Sequence, residues 1–216
     1  MSAYILLCAD RRSLSFFVYF EIGGDILSSL LIIGAGGHGR CCLDIALSMN
    51  QFDKIAFLDD KETETINSIK VLGTAQELEK YYPVYDSIVV AIGNNKVRKQ
   101  MMEKAKEIGY NLVNLKHPSA IISHFANIGY GNVIFPNAVI EANSYIGYGN
   151  VICANTVINH DATIKDYCLI YSNTTIRPES IVNSLTRIES NCCIGFGTIL
   201  PEGSYIGEGS SVNKNV

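Results

Sequence analysis

Ile152-Cys-Ala-Asn-Thr-Val-Ile158-Asn-His-Asp-Ala-Thr-Ile164-Lys-Asp-Tyr-Cys-Leu-Ile170-Tyr-Ser-Asn-Thr-Thr-Ile176 places an isoleucine at every sixth position. The series extends without a miss in both directions: Ile122, Ile128, Ile134, Ile140 and Ile146 precede it, and Val182, Ile188, Ile194, Leu200, Ile206 and Val212 follow. Four residues after most of these comes a small side chain: Ala126, Ala138, Ser144, Thr156, Ala162, Cys168, Thr174, Ser180, Thr186, Cys192, Thr198, Ser204 and Ser210. Asn132 and Asn150 break that second pattern. A helix repeats every 3.6 residues and a half-buried strand every two, so a strict six belongs to neither alone. It belongs to a solenoid of short strands joined at corners, with the aliphatic and the small residue of each hexapeptide turned inward. Three hexapeptides make a triangular turn of eighteen residues. Residues 122 to 211 then give five turns in a column about 24 Å tall. Three sides converge on one narrow axis, which is why the second inward residue must be small. The repeat does not fix the hand of the coil.

Upstream, the pattern changes. Leu30–Ile33 reads as a buried strand, His38–Met49 as a helix, Lys54–Leu58 as a second strand and Thr74–Tyr81 as a helix capped by Thr74. Ser87–Ile92 reads as a third strand and Asn94–Ile108 as another helix. Alternation of this kind predicts a small parallel sheet with helices on its faces. The first strand runs into Gly34-Ala35-Gly36-Gly37-His38-Gly39-Arg40. Its glycines allow a tight turn and close approach of a ligand, while the next helix offers free N–H groups to a phosphate. Asp59 and Asp60 close the second strand, where a carboxylate reaches a ribose hydroxyl or a base. Gly93 and Asn94 follow the third strand and form the other wall of the same crevice. A nicotinamide dehydrogenase needs a longer doubly wound sheet and a catalytic domain. This sheet ends after about ninety residues, where the solenoid begins.

Composition fits a two-part chain: residues 30–120 form the sheet domain, 121–216 the coil, and 1–29 an extension of unassigned role. Apolar residues make up 48% of the chain, enough for a core. A net charge of -4 and a pI near 5.6 give no footprint for nucleic acid or an anionic membrane. The seven cysteines are odd in number and form no C-x-x-C pair, which points to reduced packing residues and a cytoplasmic protein. Leu14–Ile22 is apolar apart from Ser15 and Glu21, yet it is too short to span a bilayer and lacks the flanks of a signal peptide. An extra strand or hairpin, or a translated upstream stretch, are the readings open to it.

The glycine-rich turn Gly34–Arg40, Asp59-Asp60, His117-Pro118-Ser119-Ala120 at the join and Asn159-His160-Asp161 within the hexapeptides together resemble one family. It comprises bacterial sugar acetyltransferases with a Rossmann-like N-terminal domain and a left-handed parallel β-helix, among them N-acetyltransferases of nucleotide-linked 4-amino sugars and sialic acid O-acetyltransferase-like proteins. The resemblance covers residues 30 to 216. It implies a homotrimer, acetyl-CoA between neighbouring solenoids, and a nucleotide-linked sugar held by the N-terminal domain through Gly34, Gly36, Gly37, His38, Gly39, Asp59, Asp60, Gly93 and Asn94. No metal is implied, and a carbonic-anhydrase-like site would need three convergent histidines.

His160 is the candidate general base, because an amine or hydroxyl attacking a thioester must lose a proton and an imidazole suits that task near neutrality. Asp161 would orient it, which requires a corner, since neighbours on a straight strand point apart. His124, two turns below, reads as a surface residue and His117 as part of the linker. The resemblance also sets Leu169, Asn173, Pro178, Gly195 and Gly197 along the acetyl-CoA. Three positions depart from the family pattern: Leu169 stands where relatives carry a second histidine, Cys153 where they carry asparagine, and Pro178 where they carry glycine. Proline has no N–H to receive the thioester carbonyl, and losing such a donor costs about 100- to 1,000-fold. The amide of Arg177 or Glu179 is the alternative donor. The chain ends at Val212-Asn-Lys-Asn-Val216, ahead of the Gly-x-Pro-Ala segment of relatives, so part of the usual coenzyme pocket is expected to be missing. O-acetylation of a sialic acid or polysaccharide, and a catalytically impaired sugar-nucleotide-binding scaffold, are the competing functions.

Overall fold

A computed structural model describes residues 28–213. The apolar stretch Leu14–Ile22 lies outside the described residues. The N-terminal domain runs β1 (Ser28–Ile33), α1 (Gly37–Met49), β2 (Phe52–Leu58), a two-stranded hairpin of β3 (Thr65–Ile66) and β4 (Ile69–Lys70), a 3₁₀ helix (Ala75–Tyr81), β5 (Ser87–Val90), α2 (Asn95–Ile108) and β6 (Asn111–Leu112). Its sheet is parallel with strand order β2-β1-β5-β6. The chain leaves β1 toward β2 and returns to β5 on the other side, so strand order reverses between β1 and β5. In an open parallel sheet the crevice beyond that reversal is where ligands bind. Leu30 to Ile33 are buried on both faces, as a central parallel strand requires. Where the sequence suggested an ordinary helix over Thr74–Tyr81, the seven-residue segment winds tighter. Its first turn closes by an i to i+3 bond, Glu77 N–H to the Thr74 carbonyl, and the Glu77 carboxylate accepts the Thr74 N–H.

The second half is a parallel β-solenoid of two-residue strands stacked in three sheets. The first sheet contains Leu115–Lys116, Val133–Ile134, Val151–Ile152, Leu169–Ile170, Arg187–Ile188 and Tyr205–Ile206. The second runs from Ile121–Ile122 to Ser211–Val212 and the third from Asn127–Ile128 to Ile199–Leu200. Every pairing joins residues eighteen apart, as in Val133 with Val151 and Val157 with Thr175. The aliphatic series forms one continuous core with Ala138, Ala162, Cys168 and Cys192. Pairing of Leu115 with Val133 carries the coil below the aliphatic series. His117 therefore sits at the first corner of the coil instead of in a linker, its N–H donating to the Ile134 carbonyl.

The irregular asparagines are a correction to the small-residue rule. Asn132 and Asn150 are fully buried. Asn132 Nδ2 donates to the Gly147 carbonyl at 2.9 Å, its Oδ1 accepts the Asn150 N–H at 2.8 Å, and Asn150 Oδ1 accepts the Cys168 N–H at 2.7 Å. A polar side chain fits inside because it bonds the backbone of its own corner. This is the corner where the third sheet passes to the first, and α2 packs there. Arg98, 1% exposed, donates to the carbonyls of Ile92, Gly149, Tyr167 and Cys168 and to Asn95 Oδ1. On the other side of the sheet, α1 packs with Leu115 and Val133 of the first sheet. The N-terminal domain thus covers the first sheet from Leu115 to Leu169 and the corner leading into it, and leaves Tyr205 at the upper end exposed.

Candidate functional site

The strand Val157–Ile158 ends at Asn159, and the chain turns from the second sheet to the third through His160 and Asp161. Asp161 adopts a left-handed conformation with φ of 59°, like Asn143 below it and Glu179 and Gly197 above. Asn and Asp tolerate this region best among residues other than glycine. The reversal swings two adjacent side chains to the same side, and His160 Nδ1 lies 2.7 Å from Asp161 Oδ2. With Asp161 ionised, the ring proton sits on Nδ1 and leaves the Nε2 lone pair free. The hydrogen bond to Asp161 is the main cause that raises the His160 pKa above the usual histidine value, with Glu141 and Glu179 adding to it. The same bond lowers the pKa of Asp161. Both side chains remain about half exposed, at 56% and 48%, so solvent and a ligand can reach the imidazole. His124 is exposed on the same edge, two turns below.

Register places Pro178 directly above His160, since Val157 pairs with Thr175. Along the coil most left-handed corner residues donate their N–H to the carbonyl nineteen residues earlier: Asp161 to Ala142, Asn173 to Ala154, Gly197 to Pro178. Among the described residues Glu179 makes no such bond, and the His160 carbonyl accepts none from it. The Arg177 N–H is consumed by the Ile194 carbonyl at 2.9 Å. Of the two alternative donors at this turn, Glu179 alone keeps its amide uncommitted to the coil backbone.

The residues expected along acetyl-CoA divide. Pro178, Gly195 and Gly197 share the edge that carries His160, with Phe196 exposed between the two glycines. Leu169 is only 3% exposed and belongs to the first sheet, which the N-terminal domain covers. Burial removes it from any coenzyme-lining role in this chain. Asn173 lies on the remaining edge, in a ladder in which Asn155 Nδ2 donates to Asn173 Oδ1 and Asn173 Nδ2 to Asn191 Oδ1.

In the N-terminal domain the glycines also divide. Gly34 has φ of +101°, and a Cβ there would stand 2.8 Å from the Ala91 carbonyl oxygen; a Cβ on Gly39 would overlap the Gly34 carbonyl. These two let β1, β5 and α1 close up. Gly36 and Gly37 face open space at the start of α1, which leaves their backbone accessible to a ligand. Asp59 departs from the expected ribose contact: its Oδ2 accepts the Ala35 N–H at 2.7 Å and its Oδ1 the amides of Lys61 and Glu62. Burial pushes this carboxyl up, and the three amides outweigh it and hold the pKa below the usual value. Asp60 Oδ1 accepts the Ala75 N–H at 3.0 Å. Both acids hold the crevice rim in shape by accepting backbone amides of neighbouring segments.

His38 turns toward the coil and stacks on Phe135 at 5.8 Å between ring centres. Burial, with Arg98 adding to it, lowers its pKa to about 4, so it is neutral near pH 7. Asn94 Oδ1 caps α2 by accepting the amides of Lys96 and Val97. From Gly93 and Asn94 a cavity of about 590 Å³ opens toward Leu185, Arg187 and Tyr205 of the coil. The structure thus brings Gly34, Gly36, Gly37, Gly93 and Asn94 to one crevice and His160, Asp161, Pro178 and Gly197 to one coil edge. The two lie on different sides of the molecule, because the His160 edge is where the second and third sheets meet, opposite the covered first sheet. Sequence reading missed Arg98 and Glu141. Neither falls in a motif, and the bonds that matter, Arg98 to Gly149, Tyr167 and Cys168 and Glu141 to His160, are made to backbone brought near only by folding.

Residues 29–105 match the PglD N-terminal domain family. The chain is 34% identical over 113 residues to UDP-N-acetylbacillosamine N-acetyltransferase of Bacillus subtilis (strain 168), covering 50% of this chain and 51% of that protein. It is 31% identical over 117 residues to GDP-perosamine N-acetyltransferase of Escherichia coli O157:H7, covering 48% and 49%. The chain thus spans about half the length of the curated relatives it matches. Among solved structures, the acetyltransferase domain of PglB from Neisseria gonorrhoeae FA1090, in complex with acetyl coenzyme A, superposes with a TM-score of 0.82 at 30% identity, over 86% of this chain and 93% of that one. Among the described residues no helix is long and apolar enough to cross a membrane.

Proposed function

Because this chain belongs to the family of sugar acetyltransferases that join a Rossmann-like domain to a parallel β-solenoid, we propose that it transfers the acetyl group of acetyl-CoA to the amine of a nucleotide-linked amino sugar. The observation that carries this reading is the His160–Asp161 pair, held 2.7 Å apart at an exposed coil corner. His160 Nε2 removes a proton from the amine as nitrogen attacks the thioester carbon. Asp161 holds the opposite ring nitrogen and stabilises the imidazolium. The C–N bond forms, the C–S bond breaks, and the proton passes from His160 to the departing thiolate. The carbonyl oxygen, negative at that stage, needs a fixed donor. The Glu179 amide fills this place in the reading, since Pro178 has no N–H.

The edge running from His160 past Pro178 to Gly197 would take the acetyl-CoA, with exposed Phe196 offering apolar contact. The crevice at Gly36, Gly37 and Gly93 would take the diphosphate and nucleoside. Since one chain turns these two sites away from each other, the working enzyme in this reading is a homotrimer, in which the N-terminal domain of one copy delivers the sugar to His160 of the next. The six cysteines among the described residues are free, which agrees with a cytoplasmic setting.

Purified protein mixed with acetyl-CoA and UDP- or GDP-linked 4-amino sugars should release thiol and give an acetylated product. His160→Ala should lower kcat by roughly 100- to 10,000-fold; transfer at the unaltered rate would remove His160 from the mechanism. Pro178→Gly separates an active enzyme from an impaired scaffold. If the Glu179 amide serves, the added donor changes kcat by less than about tenfold. If no donor serves, kcat climbs by about 100-fold or more.

A further inference from the structure

We propose that Glu141 is a positioning residue for His160: from one turn below, its carboxylate clamps the peptide that carries the base and sets a fixed negative charge beside the imidazole. The inference rests on His160 being the base. Glu141 lies under Asn159 in the register that pairs Val139 with Val157. Its own backbone is held at both ends, the N–H by the Ile158 carbonyl at 2.9 Å and the carbonyl by Ser144 Oγ at 2.6 Å. From that base Oε2 accepts the His160 N–H at 2.8 Å. The amide before a left-handed corner residue takes no part in the coil ladder, and at three corners a side chain answers it. At the corner beside α2 that partner comes from the turn above, Asp166 Oδ1 for Tyr148 and Ser184 Oγ for Asp166. At His160 it comes from the turn below.

The charged groups facing His160 are Asp161 on its own corner, Glu141 on the turn below and Glu179 on the turn above. All three are acids, so each favours the imidazolium over the neutral ring. Asp161 acts through a direct bond to Nδ1. Glu141 acts on the ring through space and on the main chain through the amide. Fixing the peptide plane fixes the direction in which Nε2 projects, and a misplacement of about 1 Å can cost on the order of 100-fold.

Two variants separate clamp from charge. Glu141→Gln keeps an oxygen acceptor for the His160 N–H and removes the charge; Glu141→Ala removes both. The His160 ring is followed by NMR titration without substrate, and kcat and KM are measured against pH. In Glu141→Gln the His160 midpoint should fall, and the rising limb of kcat/KM should move to lower pH. At pH values below the original midpoint this variant should exceed Glu141→Ala in rate. In Glu141→Ala kcat should drop on the order of tenfold with KM little changed, and glutamine should recover most of that loss. An unaltered His160 midpoint in both variants, or Glu141→Ala with full kcat, would overturn the proposal. Absence of acetyl transfer by the unsubstituted protein would defeat the functional reading instead, and the substrate-free titration would still decide the role of Glu141.

Discussion

His38 and His160 carry the same ring into opposite surroundings. Burial with the nearby Arg98 charge lowers the first to about 4; the bond to Asp161 raises the second. The folded protein therefore takes up the His38 proton only near pH 4, whereas the unfolded chain does so near 6.5. Stability from this residue is complete above about pH 6.5 and is lost as pH falls toward 4, by at most about 3 kcal/mol. Thermal melts across that interval should show Tm falling with acid, and His38→Gln should flatten the decline. An equally steep decline in the variant would place the acid sensitivity elsewhere. The contact between His160 and Asp161 was legible because a corner was expected at their position in the hexapeptide. The turn toward Phe135 that neutralises His38 was not, since the local glycines say nothing of a ring ninety-seven residues away.

At the level of the element, most polar interior residues of the coil are answered by its backbone, as Thr156, Thr174, Ser180 and Thr186 are, while the Thr198 hydroxyl is buried without a partner. Asn132 satisfies the Gly147 carbonyl and the Asn150 N–H together. Asn132→Ala should leave both unpaired in a dry corner and cost roughly 2–4 kcal/mol. Asn150 bonds the Cys168 amide through Oδ1 while its Nδ2 has no partner. Asn150→Ala should therefore cost less, and guanidinium unfolding of the two variants gives the comparison. A larger loss at Asn150 would contradict the ladder as described. The six-residue period made the coil readable because a steric rule repeats at every corner. It marked the asparagines only as breaks, because their partners are coil backbone groups fifteen to eighteen residues away. The parallel sheet was readable from its alternation, and so was Thr74 as a cap, but the Thr74–Glu77 capping box opens α-helices as well and does not mark the tighter winding of Ala75–Tyr81.

Across the whole molecule, the crevice and the coil edge face apart, and this gives a test of composite sites. Gly37 faces open space, so Gly37→Asp should fold normally and repel a diphosphate by charge. Neither Gly37→Asp nor His160→Ala should transfer acetyl groups alone. Mixed after reversible dissociation, they should regain activity, because some sites then join an intact crevice to an intact base. No recovery in demonstrably mixed oligomers would confine the site to one chain. Arg98 holds this arrangement, and it escaped the sequence reading because its acceptors are carbonyls, which every residue possesses. Its contacts with Gly149, Tyr167 and Cys168 anchor the middle turns of the coil to the sheet domain. The coil pairs everywhere at a separation of eighteen residues, so its natural unit of length change is one whole turn. Asn95 Nδ2 ties the Leu185 and Thr186 carbonyls to the same domain, so a duplicated turn inserted above those rungs would keep every register and merely lengthen the column. The same duplication inserted between Gly149 and Cys168 would pull the Arg98 acceptors out of reach. Evolution of this scaffold is thereby free to grow at one end and is held to a fixed gauge at the other.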